Sequence, residues 1–222
     1  MFKFGEGVFG DEIKDTEIFQ NEIPVFDTDI SVEDATAFWN KQFESVPDFS
    51  LKDILDWNED DFNFDFDITD MDKLLDEFDD YNWEELSQDE KIELVDELVA
   101  RIAEKLGLEN IPEVIYYYDD PNNCGYYYSG MNLLGINACE LDNPKELVNT
   151  VAHELRHAYQ EQRALKPETE MDYKYLANLS NYISPLFTET GECILFADYQ
   201  DQLVEAEARA FADFFSREGM AS

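Results

Sequence analysis

The stretch Asn143-Pro-Lys-Glu-Leu-Val-Asn-Thr-Val-Ala-His153-Glu154-Leu155-Arg156-His157-Ala-Tyr-Gln160 decides how the rest of the chain is read. Asn143 supplies a helix N-cap and Pro144 a first-turn proline, which predicts a helix running to about Gln162. Leu147, Val148, Val151, Leu155 and Ala158 form one apolar stripe along it, and His153 and His157 lie off that stripe. Residues four apart on a helix differ by about 40° in direction, so both imidazoles project from one face and can share a single ion. Glu154 stands about 100° round, beside that ion. There it is placed to move a proton rather than to ligate.

The chain of 222 residues contains only two histidines, and both fall in this pattern. Such a placement, with Glu in the second position, arises by chance roughly once in a thousand chains of this kind. A catalytic zinc site takes three protein ligands and keeps a position open for water. With no third histidine, the remaining donor must be Asp, Glu, Cys or Tyr, and a carboxylate on a packed helix holds a ligand most accurately. The last predicted helix offers Glu205 and Glu207. They lie about 200° apart on it, so both cannot face the ion.

Working outward, Ser87 and Glu90 form a capping box for a helix carrying Ile92, Leu94, Val95, Leu98, Val99, Ile102, Ala103 and Leu106, which Gly107 stops. Pro112–Tyr118 and Gly125–Tyr128 are rich in strand formers and read as a hairpin or an adjacent pair, with Leu133–Cys139 as a third strand. Further helices are predicted at about Asp172–Ile183 and Asp198–Arg217. The fold class expected is α+β: helix, small mixed sheet of about three strands, histidine-bearing helix, ligand helix.

The first part differs in character. Residues 1–80 hold 25 acidic and 5 basic side chains against 28 and 10 in the remainder, so a boundary is expected near 80, separating an acidic N-terminal portion (1–80) from the 81–222 module. A short strand at Phe2–Phe9, a helix capped by Ser31 and Asp34, and an alternating strand over Asp61–Ile68 are predicted there. The acids of that last segment do not follow a calcium-loop pattern and read as a solvated face.

Composition bounds the rest. Hydrophobic residues make up 44%, ample for a core, and 53 Asp+Glu against 15 Lys+Arg give a net charge of -38. A field of that sign repels phosphate backbones and anionic lipids, so direct nucleic-acid or membrane binding is not expected. No apolar run reaches the length of a membrane span and the opening residues lack the apolar core of a secretory signal, so the expectation is cytoplasmic residence or export without such a signal. Cys124, Cys139 and Cys193 are odd in number and widely spaced, which argues against a disulfide framework. A metal-capping role for Cys124 finds no supporting sequence around it.

Together the helix motif and Glu205-x-Glu207-Ala208-x-x-Phe211-Ala212 resemble the zincin metallopeptidases. The likeness is to the gluzincin branch, and the downstream motif is similar to that of IrrE/ImmA-like peptidases. The resemblance covers roughly 87–217. It implies a Zn2+ held by His153, His157 and Glu205, a metal-activated water with Glu154 as general base, a peptide or protein substrate, and an edge strand beside the cleft, for which Leu133–Cys139 is the expected candidate. Leu155-Arg156 departs from the small residue many such peptidases carry before the second histidine. Arg156 is expected to pair with an acid. The alternative is a non-catalytic interaction protein, phage-associated or imitating DNA, in which the metal site is structural or vestigial.

Overall fold

The computed structural model describes residues 57–58, 62, 64, 67–118, 123–184, 186–187, 193–194 and 196–218. Two short helices, α1 (Asp72–Asp76) and α2 (Asp80–Trp83), lead into the long helix α3 (Gln88–Leu106). Both halves of the Ser87/Glu90 capping box form, and Gly107 ends α3 in the left-handed region at φ 66, where a side chain would be strained. The apolar face of α3 buries Val95, Leu98, Val99, Ile102 and Leu106.

Three strands follow, β1 (Glu113–Tyr117), β2 (Gly125–Tyr128) and β3 (Leu133–Asn137), in the spatial order β1-β3-β2. Strand β3 runs parallel to β1 and antiparallel to β2, so β1 and β2 do not form the expected adjacent pair. Nor is β3 an edge strand. Residues Leu134 to Asn137 are fully buried, whereas the tyrosines of β1 and β2 are only half-buried. The apolar strand, buried on both faces, takes the centre, and the tyrosine-bearing strands flank it. Gly135 sits under the Tyr126 ring, where a Cβ would come within 2.4 Å of ring carbon.

Asn143 caps helix α4 (Pro144–Leu165), which carries the histidines and packs against α3, β2 and two later helices. Its predicted apolar stripe is buried throughout. Helix α5 (Glu170–Leu179) starts at a capping box of Thr169 and Asp172 and stops before Ile183, where the sequence had predicted it to end. A two-residue pair, β4 (Leu186–Phe187) with β5 (Cys193–Ile194), precedes α6 (Phe196–Gln200) and α7 (Leu203–Glu218). The single last helix expected from about Asp198 is therefore two. The break falls at Asp201 and Gln202, and the Gln202 side chain ties it to Ile183 N (2.7 Å), Ile183 O (2.8 Å) and Tyr199 O (3.0 Å).

The described protein is α+β with seven helices and a small mixed three-stranded sheet. Ile68, Met71, Leu75 and Phe78, which precede the composition break near 80, belong to the same core as Leu98, Ile136, Val151 and Phe211. Trp83 is pinned there by its indole N–H, which donates to Leu141 O at 2.7 Å. The expected elements at Phe2–Phe9 and near Ser31 lie outside the described residues, as does part of Asp61–Ile68, of which Phe62, Phe64, Asp67 and Ile68 are in no strand. Among the described residues no helix is long and apolar enough to cross a membrane.

Candidate metal centre

Helix α4 lies against α7, and their contact brings His153, His157 and Glu205 to one point. Nε2 of His153 and Nε2 of His157 are 3.1 Å apart. Each faces a different oxygen of Glu205, His153 to Oε2 and His157 to Oε1, both at 3.5 Å. Donors bonded tetrahedrally to zinc at about 2.0–2.2 Å are separated by about 3.3–3.6 Å. The nitrogen–nitrogen spacing is close to that edge length and each nitrogen faces its own carboxylate oxygen at about it, so the group is compact enough to hold a metal ion. Both imidazoles are 17% exposed and Glu205 is 1% exposed, so the group opens to solvent from the histidine side.

Glu205 stands in the first turn of α7, where the helix dipole favours an anion. Burial raises its carboxyl, but His153, His157 and the Tyr182 hydroxyl overcome this and hold it at about 2. Tyr182 donates to Oε1 at 2.6 Å. The Tyr199 ring lies edge-on to Tyr182 and its hydroxyl also interacts with Glu205.

Glu207, the other carboxylate considered from the sequence, is engaged elsewhere. It accepts from Arg156 Nη2 at 2.5 Å, Tyr175 OH at 2.6 Å and Gln160 Nε2 at 2.7 Å, all buried. The Arg156 guanidinium lies 4.3 Å from the Tyr159 ring centroid and 5.1 Å from that of Phe211, so the ion pair is roofed by aromatic faces. Arg156 thus has the acidic partner anticipated for it.

This buried cluster reaches the histidines through Gln160. Its amide nitrogen is committed to Val204 O at 3.0 Å and to Glu207, which leaves Oε1 to face His157 Nδ1 at 2.9 Å. An oxygen there can only accept, so His157 carries its hydrogen on Nδ1 and turns the lone pair of Nε2 toward the other donors. Gln160 and Tyr175 carry no reading from the sequence alone, whereas Tyr182, with Tyr159 and Tyr199, stands on or near the predicted helices as a tyrosine weighed for an oxyanion donor and read as a core aromatic; the structure places its hydroxyl on Glu205 instead. The three-residue spacing from His157 to Gln160 carries a signal for Gln160; Tyr175 carries none.

Glu154 lies beside the group on the same helix. Its Oε2 accepts from the backbone N–H of Tyr127 in β2 at 2.8 Å. That makes β2, not β3, the sheet margin at the site. The close approach depends on Gly125, where a Cβ would stand 2.4 Å from Thr150 Cγ2 and 3.0 Å from Gly135 O. Enclosure pushes the Glu154 carboxyl up to about 7, with His157 and the Tyr127 N–H pulling down and Glu205 pushing further up. A cation bound alongside would lower it.

No protein-family model matches this chain, and neither does any curated protein or solved structure with which it was compared.

Proposed function

We propose that the protein is a zinc-dependent metallopeptidase of zincin type, with His153, His157 and Glu205 holding the ion and Glu154 acting as general base. The observation that carries this reading is the convergence of His153, His157 and Glu205 at one point, with the Glu154 carboxyl next to them. Two neutral imidazoles and one carboxylate are a donor set that zinc accepts readily. When bound, such an ion polarises the scissile carbonyl and makes water acidic enough to attack near neutral pH.

The chain's own residues supply the rest. Glu154 takes the proton of the attacking water and returns it to the leaving amine, and its raised affinity for protons suits both halves of that transfer. An extended peptide aligned with β2 lies along the margin that Glu154 touches through the Tyr127 N–H. Tyr182 and Gln160 hold Glu205 and His157 in place, so little motion is required of the donors when the site is loaded.

The test is metal analysis of purified protein followed by peptide-library cleavage with and without chelator. Glu154→Gln is expected to keep its metal and lose about 10²- to 10⁴-fold in turnover. Full activity in that variant, or bound metal with no cleavage of any peptide, overturns the hydrolase and leaves the non-catalytic interaction protein as the reading.

A further inference from the structure

A cavity of about 430 Å³ opens beside the candidate site, within the size range of ligand pockets. Tyr127, Ser129 and Asn132 form one wall and Ala158, Glu161 and Leu165 of α4 the other. Glu154, Ala158, Glu161 and Leu165 fall within about 60° of one another around the helix, so the cavity continues along the same face as the proposed base. Tyr127 joins the two directly: its backbone N–H reaches Glu154, and its side chain lines the cavity, where its hydroxyl donates to Asn132 Oδ1 at 3.2 Å.

Two acids line this pocket, the exposed Glu109 and the half-buried Glu161. Burial pushes the Glu161 carboxyl up, the neighbouring Tyr127 and Ser129 hydroxyls pull it back, and no basic side chain among the described residues is paired with it. Lys166 stands at the exposed mouth of the cavity. A partly desolvated carboxylate with only neutral partners lacks a counter-charge, and a cation brought from outside supplies it. The chain as a whole, at -38, attracts cationic partners before contact is made.

Resting on the peptidase reading above, we infer that the cavity is a subsite for a lysine or arginine side chain, with Glu161 as the residue that selects it. Glu161 lies about 10 Å along the helix axis from Glu154, the span of about three extended residues. The preferred basic residue therefore falls within about three positions of the cleaved bond.

The test separates this subsite from the chemistry. Full-length protein stripped with chelator, so that nothing is turned over, is titrated by fluorescence anisotropy with two labelled alanine-rich peptides that differ only by lysine or norleucine at one position. Wild-type protein is expected to bind the lysine peptide about tenfold more tightly, and Glu161→Gln to bring the two near parity. That substitution changes the net charge of -38 by one unit, so its effect does not come from the general field. Equal affinity of the two peptides for wild type, or discrimination that survives in Glu161→Gln, overturns the subsite. Cleavage without discrimination removes the subsite alone; discrimination without chelator-sensitive cleavage of any peptide removes the hydrolase and keeps a basic-peptide binding pocket.

Discussion

Gln160 Oε1 stands 2.9 Å from His157 Nδ1, and the same side chain donates to Glu207, so the carboxylate two residues beyond Glu205 acts on the histidine without touching it. Outer partners of this kind set the tautomer and tilt of a metal-binding imidazole. Gln160→Leu is expected to weaken metal binding about 10- to 100-fold, read by competition against a chromophoric chelator. It also leaves Val204 O and Glu207 short of a buried donor, destabilising the fold by about 1–3 kcal/mol per group.

Glu205 and Glu207 should separate cleanly. Glu205→Ala is expected to abolish tight metal binding while retaining the fold. Glu207→Ala leaves the Arg156 guanidinium, 5% exposed at its side chain, without its counter-charge, and is expected to cost about 3–5 kcal/mol in urea denaturation. Replacing both Arg156 and Glu207 with Met should recover much of that loss, because an apolar pair leaves no buried charge.

Tyr182→Phe removes one hydrogen bond from Glu205 and little else, since Tyr182 is 39% exposed. Metal affinity is expected to fall about tenfold with the melting temperature of the chelator-treated protein nearly unchanged. An unchanged affinity would show that Tyr199 alone orients the carboxylate.

Acid should weaken the start of α5. Burial raises the Asp172 carboxyl, but Arg163 Nη2 and Nε at 2.6 and 2.7 Å and the N–H groups of Glu168 and Thr169 outweigh it, so its pKa lies below the ordinary value. A carboxyl lowered on folding stabilises the protein above its unfolded pKa of about 3.9, and that contribution disappears as pH falls through the folded value. The stability difference between wild type and Asp172→Asn, followed by urea titration, is therefore largest at neutral pH and shrinks below about pH 4.

Gly125→Ala is expected to destabilise the protein by about 1–3 kcal/mol, because its methyl meets Thr150 Cγ2 at 2.4 Å and the approach of β2 to α4 has no slack. Adding Thr150→Ser removes that methyl partner and should restore part of the loss, leaving the 3.0 Å contact with Gly135 O.

Much of this architecture was legible in local chemistry. The Ser87/Glu90 box, Gly107, Asn143 and the stripe from Leu147 to Ala158 each act within a few residues, and helices α3 and α4 follow from them. The strand order was not legible, because β1 and β2 are close in sequence and only the burial demand of Leu134 and Ile136 drives β3 between them. The choice between Glu205 and Glu207 was equally hidden. It turns on Arg156 and Gln160, 51 and 47 residues away from Glu207, and on Tyr175, 32 away; no periodicity records partners at such distances. Tyr182 is predicted on the helix but lies just past its end, and its partner Glu205, 23 residues on, leaves no local pattern.

The rim of a sheet invites a second copy of the same chain to join it, and that is how soluble proteins begin to clump. Here the invitation at Tyr127 is already answered from within by the carboxyl tip of Glu154. Two molecules meeting along this rim would each have to evict that group while carrying 38 surplus charges of the same sign. A strand of opposite charge would meet less resistance along that rim than a second copy of the chain would.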